Sequence, residues 1–203
     1  MPTSHKAPHD TDPADAKLEM RRNAAALRKQ LAADFPGADA ELAGHADAII
    51  KLAGGGVVAG YLPIRSELSP LPLIAALAGC GVVTALPITP PAGNPLVFHQ
   101  WATDDALQNG PYGTCQPLPN LPVVVPRLVL TPMLAFDDAA RRLGYGGGFY
   151  DRTLAGIRAG GQAVTAIGIA FDGQQVPSVP TGPYDMPLDG VLTPTGLRLM
   201  EMR

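Results

Sequence analysis

Between Arg141 and Leu154 the chain reads RRLGYGGGFYDRTL, and these residue types suit one kind of chemistry, the holding of phosphate. Gly144, Gly146, Gly147 and Gly148 crowd just before a helical pattern that begins at Phe149. Glycines there let the backbone approach a ligand closely, and a helix N-terminus offers unpaired N–H groups and the positive end of the helix dipole. Arg141 and Arg142 add charge and paired donors that match phosphate oxygens. Asp151 stands in the first turn of the helix, where a carboxylate either complements the dipole or binds Mg2+ beside phosphates. A second carboxylate comes from YDMPLDGVLT, residues 184–193, in which Asp185 and Asp189 are both candidates. Phe149 occupies the last glycine position of GxGxxG, so the dinucleotide fingerprint fails, and no GK[ST] of a Walker A loop is present.

Lysine is confined to Lys6, Lys17, Lys29 and Lys51. A phosphate bound later in the chain must therefore meet arginine, backbone N–H groups, a metal, or Lys17 folding back. Lys17, Arg21 and Arg28 form one row of a helical segment whose apolar stripe is Met20, Ala24, Leu27 and Leu31. At about 100° per residue the basic row is displaced from the stripe by roughly 70°, which reads as a flank bordering the packed face. Glu67, in AGYLPIRSELSPLPLI, is either a helix-start carboxylate beside Ser66 and Ser69 or an acceptor for an amino-substituted heterocycle. Trp101, the single tryptophan, reads as core. His5, His9, Asp10 and Asp12 read as solvated, and His45 and His99 lack a Cys or His at ligand spacing. There is no GxSxG, and neither Cys80 nor Cys115 carries an activation signal.

The elements that must position these residues follow from apolar rhythm. Residues 1–13 are polar and aperiodic and read as a disordered tail, leaving 14–203 as one domain. The pattern predicts a helix over Asp15–Asp34 with Asp15 as its cap, and a second over 38–53 with Leu42, Ala46, Ile49 and Leu52 inward. Val57–Tyr61 reads as a strand, Pro70–Leu77 as a helix and Gly81–Ala85 as a strand, the pattern of a parallel β-α-β unit. Residues 88–125 are proline-rich, with one short strand at Leu96–Trp101. Strands at Leu128–Met133, Ala163–Phe171 and Gly190–Thr193 and a helix at Phe149–Ala159 complete the prediction. The expected fold is a three-layer α/β/α domain with a mostly parallel or mixed sheet and an N-terminal helix pair. Its glycine loop follows a strand, where open α/β sheets bind ligands.

Composition excludes several classes. The chain of 203 residues is 46% apolar and 16% charged, enough for a sizeable core. A net charge of −3 gives no general reason to expect nucleic acid. No apolar run approaches the roughly 20 residues of a membrane span, the N-terminus has no apolar signal core, and two cysteines form no CxxC pair. These features point to a soluble, cytoplasmic protein.

RRLGYGGGFYDRTL resembles the signature of the 5-formyltetrahydrofolate cyclo-ligase family, also called 5,10-methenyltetrahydrofolate synthetases, and the resemblance extends from about residue 15 to 195. Lys17 through Arg21 looks like that family's Lys-x-x-x-Arg helix start. YLPIRSEL is similar to its strand followed by a folate-facing glutamate, LTPMLAFD to its strand entering the glycine loop, and YDMPLDGVLT to its C-terminal aspartate segment. The resemblance implies an ATP- and Mg2+-dependent cyclisation. The formyl oxygen of 5-formyltetrahydrofolate attacks the γ-phosphoryl, N10 closes on the formyl carbon, and phosphate leaves, giving 5,10-methenyltetrahydrofolate, ADP and phosphate.

Carried onto this chain, Lys17 and Arg21 contact the ATP phosphates, and with Arg142 they form the catalytic set. Arg142, Leu143, Gly144, Tyr145, Gly146, Gly147, Gly148, Phe149 and Tyr150 wrap the triphosphate, with Tyr145 to Phe149 also touching folate. Leu62 and Glu67 face the pterin, and Asp151 and Asp185 hold Mg2+. Gly147 stands where some members carry lysine, which puts more weight on Lys17, Arg21 and Arg142; Phe149 stands where tyrosine is frequent. The expected partners are the two small-molecule substrates, without nucleic acid or membrane, and the expected state is a monomer. A second reading is a folate- or nucleotide-binding module that has lost phosphoryl transfer; the presence of Asp151, Asp185, Arg142 and Lys17 favours the enzyme. A sugar-phosphate isomerase or acyl transferase on a similar scaffold leaves Lys17 and Arg21 unexplained.

Overall fold

An Ala- and Leu-rich helix opens the fold in the computed structural model, which describes residues 13–200. This helix, α1, spans Pro13–Asp34. Asp15 therefore lies inside the helix instead of capping it, and the rest of the expected tail falls outside the described residues. Next come α2 (Ala38–Ala43) and α3 (Ala46–Ala53), which replace the continuous helix expected over 38–53. The break falls at Gly44-His45, glycine being a poor helix former. It lets Leu42 and Ile49 both become fully buried in one core.

The strands and remaining helices are β1 (Val58–Ala59), α4 (Leu71–Gly79), β2 (Thr84–Ile88), β3 (Val97–Gln100), β4 (Leu107–Asn109), β5 (Cys115–Pro117), β6 (Val123–Val124), β7 (Leu128–Pro132), β8 (Ala135–Phe136), β9 (Arg142–Leu143), α5 (Phe149–Ala159), β10 (Thr165–Ile169), β11 (Gly190–Thr193) and β12 (Gly196–Leu199). Eight strands form one sheet in the order β12-β11-β10-β7-β1-β2-β3-β6. The run from β11 to β2 is parallel, and β12, β3 and β6 add antiparallel edges. The mixed sheet matches the expectation.

Alternation along the central strands makes two cores. Val58, Leu128, Leu130, Ile167, Ile169 and Leu192 face Leu42, Ile49, Leu73, Ile74 and Leu77 of α2, α3 and α4. Ala59, Ala85, Val129, Ala166 and Val191 face Leu154 and Ile157 of α5. Helices thus cover both faces. Among the described residues no helix is long and apolar enough to cross a membrane.

Of the stripe expected on α1, Ala24 is buried and Met20 and Leu31 pack against the cores, but Leu27 is 39% exposed, whereas Arg28, expected on a flank, is 1% exposed. The proline-rich stretch holds β4, β5 and β6 besides the expected strand, and β2 runs from Thr84 to Ile88, past the expected end at Ala85. The β8–β9 and β11–β12 pairs were also absent from the expectation.

Candidate functional site

A cavity of about 530 Å³ opens beyond the C-terminal ends of β7, β1 and β2, where Pro132, Tyr61, Leu62 and Pro87 line it. β7 and β2 lie on opposite sides of β1, so this is the crevice where chain connections leave the sheet in opposite directions. Open α/β sheets bind ligands there. Its size is in the range of small-molecule sites.

The glycine loop forms one wall. It joins β9 to α5, and Gly146 (φ 97°) and Gly148 (φ 65°) both adopt the left-handed backbone that favours glycine. Among the described residues the N–H groups from Gly144 to Asp151 find no protein acceptor, which leaves them for a ligand. The carbonyls are held from outside. Arg21 Nε donates to the Gly144 carbonyl (3.0 Å), and Arg152 donates to that of Gly147 (2.7 Å). A Cβ on Gly146 would stand 3.3 Å from the Arg21 guanidinium, so the loop and α1 meet closely.

Charged groups gather at this end. Arg142 donates to Asp151 Oδ1 and to the Met186 carbonyl, and the Met186 N–H donates to the same Asp151 oxygen (2.9 Å). Lys17 folds back to donate to Asp185 Oδ2 (2.9 Å), which also accepts the Gly182 N–H (2.7 Å). Burial opposes ionisation of Asp185, but the bonds from Lys17 and Gly182 and the Lys17 and Arg142 charges outweigh it. Its carboxyl is held below the usual carboxylate range. Asp151 Oδ2 and Asp185 Oδ1 have no protein donor among the described residues. Two carboxylates, each with a free oxygen, beside a loop of unpaired N–H groups fit Mg2+, which takes one or two carboxylates and completes its shell with other oxygens and water. Asp189 lies elsewhere, accepting Arg158 and the Ala166 N–H.

The opposite end is aromatic and encloses Glu67. This residue is not a helix-start carboxylate, since it precedes α4 and Ser69 takes the capping bond from the Leu71 N–H. Its side chain is 3% exposed, with Oε2 accepting the Ile64 N–H (2.9 Å) and Oε1 lying 3.7 Å from Arg28 Nη1. Burial raises the Glu67 pKa; the Ile64 N–H and the Arg28 charge pull the other way without cancelling it. Tyr145 presents its ring to the cavity with its hydroxyl tied to Arg28, and the guanidinium groups of Arg28 and Arg65 lie 5.4 and 5.5 Å from the ring centre. Tyr112, at the turn joining β4 to β5, has its ring 6.3 Å from that of Phe149.

Lys17, Arg21, Leu62, Glu67, Arg142, Gly144 to Asp151 and Asp185 therefore share one cavity wall or another. Leu143 does not: its side chain is fully buried in a small core with Ala24 and Leu134. Arg141 is also turned to structural use, pairing with buried Asp137 at 2.7 Å. Trp101 is core, as expected, and the His45 and His99 rings bond to the Pro194 and Leu121 carbonyls. Cys115 lines the cavity as a free thiol. His5, His9, Asp10 and Asp12 lie outside the described residues. Arg28, Arg65 and Tyr112 are site residues that sequence reading missed. Arg28 had one signal, its place in the row of Lys17 and Arg21.

Residues 13–194 match the 5-formyltetrahydrofolate cyclo-ligase family. The chain is 35% identical over 144 residues to a 5-formyltetrahydrofolate cyclo-ligase of Escherichia coli K12, covering 68% of this chain and 78% of that protein. It is 32% identical over 153 residues to one of Haemophilus influenzae, covering 73% and 81% respectively. In fold it is similar to the NMR structure of Aquifex aeolicus 5,10-methenyltetrahydrofolate synthetase, with a TM-score of 0.75 at 23% identity over 92% of this chain and 94% of that one. A 5,10-methenyltetrahydrofolate synthetase from Mycoplasma pneumoniae gives a TM-score of 0.69 at 18% identity, over 88% and 98%.

Proposed function

Because the chain belongs to the 5-formyltetrahydrofolate cyclo-ligase family, we propose that its cavity converts 5-formyltetrahydrofolate and ATP into 5,10-methenyltetrahydrofolate, ADP and phosphate. One observation carries the site assignment. A phosphate-binding end (Lys17, Arg21, Arg142 and the glycine loop) and a buried carboxylate suited to a heterocycle (Glu67) open into the same cavity.

The pterin enters beside Leu62 and donates ring N–H groups to Glu67. Tyr145, Phe149 and Tyr112 flank it with ring faces and keep water out. At the other end the free N–H groups of Gly144 to Asp151, together with Lys17, Arg21 and Arg142, hold the triphosphate. The formyl oxygen attacks the γ-phosphorus, an O–P bond forms, and the bond to ADP breaks. The N10 lone pair then closes on the formyl carbon, the N10 proton is lost, and the C–O bond breaks to release phosphate. No protein nucleophile is required; the chain positions the two substrates and stabilises charge on the transferring oxygens. Asp151 and Asp185 would hold Mg2+, which when bound draws phosphate oxygens together and spreads their charge. Every group in this scheme comes from one copy of the chain, so the proposed reaction between the two small molecules calls on no residue of a second subunit.

The test is absorbance in the methenyl-folate band after mixing protein with 5-formyltetrahydrofolate and MgATP, with controls omitting each component. The expected result is an increase that requires folate, ATP and Mg2+ together. No increase, with folate still bound by calorimetry, would replace the enzyme by a folate-binding module.

A further inference from the structure

Arg28 is a guanidinium sealed inside the protein, 1% exposed on α1. Burying such a charge is costly unless its donors are used. Here they are. Nη1 donates to the Met133 carbonyl (3.2 Å), Nε to Ser66 Oγ (3.3 Å) and Nη2 to the Tyr145 hydroxyl, while Glu67 Oε1 lies 3.7 Å from Nη1. These partners come from the end of β7, the loop before α4 and the glycine loop. An apolar side chain of similar length would fill the volume, so packing alone does not explain an arginine.

We propose that Arg28 is a positioning residue: it holds Glu67 as an ionised acceptor for the substrate's ring N–H groups and fixes Tyr145 of the glycine loop, setting the two ends of the cavity relative to each other. This rests on the folate reading of Glu67. A planar fork is needed because the partners lie in different directions, which a lysine cannot reach together. The groups that face Glu67 are Arg28 from α1, Arg65 from its own loop and Tyr145 from the glycine loop, with Tyr61 after β1 and Tyr150 in α5 also within range of its charge. Burial pushes the Glu67 pKa up, and the Arg28 charge opposes that rise. Without Arg28 the carboxyl takes its proton at higher pH, so the loss in folate binding is larger on the acid side.

The experiment is calorimetric binding of 5-formyltetrahydrofolate, without nucleotide, to wild type, Arg28→Met and Arg28→Lys at pH 6 and pH 8. For Arg28→Met the expected loss is about tenfold or more at pH 6, or about 1.4 kcal/mol, and clearly less at pH 8. Arg28→Lys keeps the wild-type pH dependence with a smaller, uniform loss. Unchanged binding by Arg28→Met, or an equal loss at both pH values, would overturn the proposal and leave Arg28 a packing residue. Should Arg28→Met fail to fold, the neutral but polar Arg28→Gln is measured at pH 6 with and without Glu67→Gln. Its loss should shrink to under about twofold when Glu67 is already neutral, and equal losses in both backgrounds would overturn the proposal. Absence of folate binding by wild type would instead overturn the reading of the cavity itself.

Discussion

In the proposed reaction Arg142 serves both the substrates and the scaffold. It lines the cavity and donates to Asp151 and to the Met186 carbonyl. Arg142→Ala removes the donor proposed for the transferring phosphoryl and also leaves Asp151 without its cation. The expected loss in kcat/KM exceeds about tenfold, or about 1.4 kcal/mol of transition-state stabilisation. Steady-state kinetics unchanged from wild type would remove Arg142 from the site. Asp151→Asn tests the metal assignment. Outer-shell changes alone cost about 10–100-fold in metal affinity, so losing a ligand should raise half-saturating Mg2+ by at least about tenfold. An unaltered Mg2+ titration would leave Asp151 a helix-dipole partner. Much at this scale was legible in the sequence because the glycine loop, Arg142 and Asp151 are contiguous and their chemistry is local. Arg28 was not. Helical periodicity places it relative to Met20 and Leu31, but only the distant loops carrying Glu67 and Tyr145 decide that its side of the helix is enclosed.

The elements that hold the glycine loop were legible in part, for a reason of the same kind. Long apolar runs declared β7 and β10, and the glycine break declared β1, because central parallel strands are buried on both faces. The pairs β4–β5 and β8–β9 have two or three residues a strand, too few for any period to register. What fixes β8–β9 is the turn between them. Asp137, 1% exposed, accepts the N–H groups of Ala139, Arg141 and Val179 and the Arg141 guanidinium. Burial disfavours its charge, but these bonds outweigh burial and lower its pKa. A carboxylate whose pKa is depressed in the fold stabilises it at pH values above the unfolded pKa of about 3.9, and that stability is lost as pH falls through the folded value. Asp137→Asn should therefore cost about 2 kcal/mol near neutrality. The midpoint of thermal melting should fall by about 4–8 °C. The deficit should begin to narrow as pH falls below about 4, where the unfolded chain takes up the proton, and go on narrowing toward the depressed pKa of the fold; a gap that stays constant from about pH 7 to about pH 3 would refute the ionic account.

Across the whole molecule the site is assembled from both ends of the chain. Lys17, near the start of α1, bonds Asp185, which lies after β10 in the segment leading to β11. The wall opposite comes from the loop between β1 and α4, and the cavity floor from the ends of three neighbouring strands. The site joins α1, the loop before α4, the glycine loop and the segment before β11, so a bound ligand stabilises these parts together and its binding is linked to unfolding. At a free concentration of 100 Kd a ligand adds about 2.7 kcal/mol. For a chain of this size that is a rise of about 5–10 °C in melting midpoint. Trp101, the single tryptophan, reports from the core that packs α2, α3 and α4 against the sheet, while its ring does not line the cavity. Its fluorescence midpoint and the far-ultraviolet circular dichroism midpoint should move up together when MgATP or 5-formyltetrahydrofolate is added, as two-state unfolding requires. With chelator present the nucleotide-dependent part should shrink, because the carboxylates at the phosphate end then face ATP without Mg2+. A shift in circular dichroism without one in Trp101 fluorescence would mean that the helices around the cavity melt apart from the sheet, and that the join between Lys17 and Asp185 does not bind the two ends of the chain into one cooperative unit.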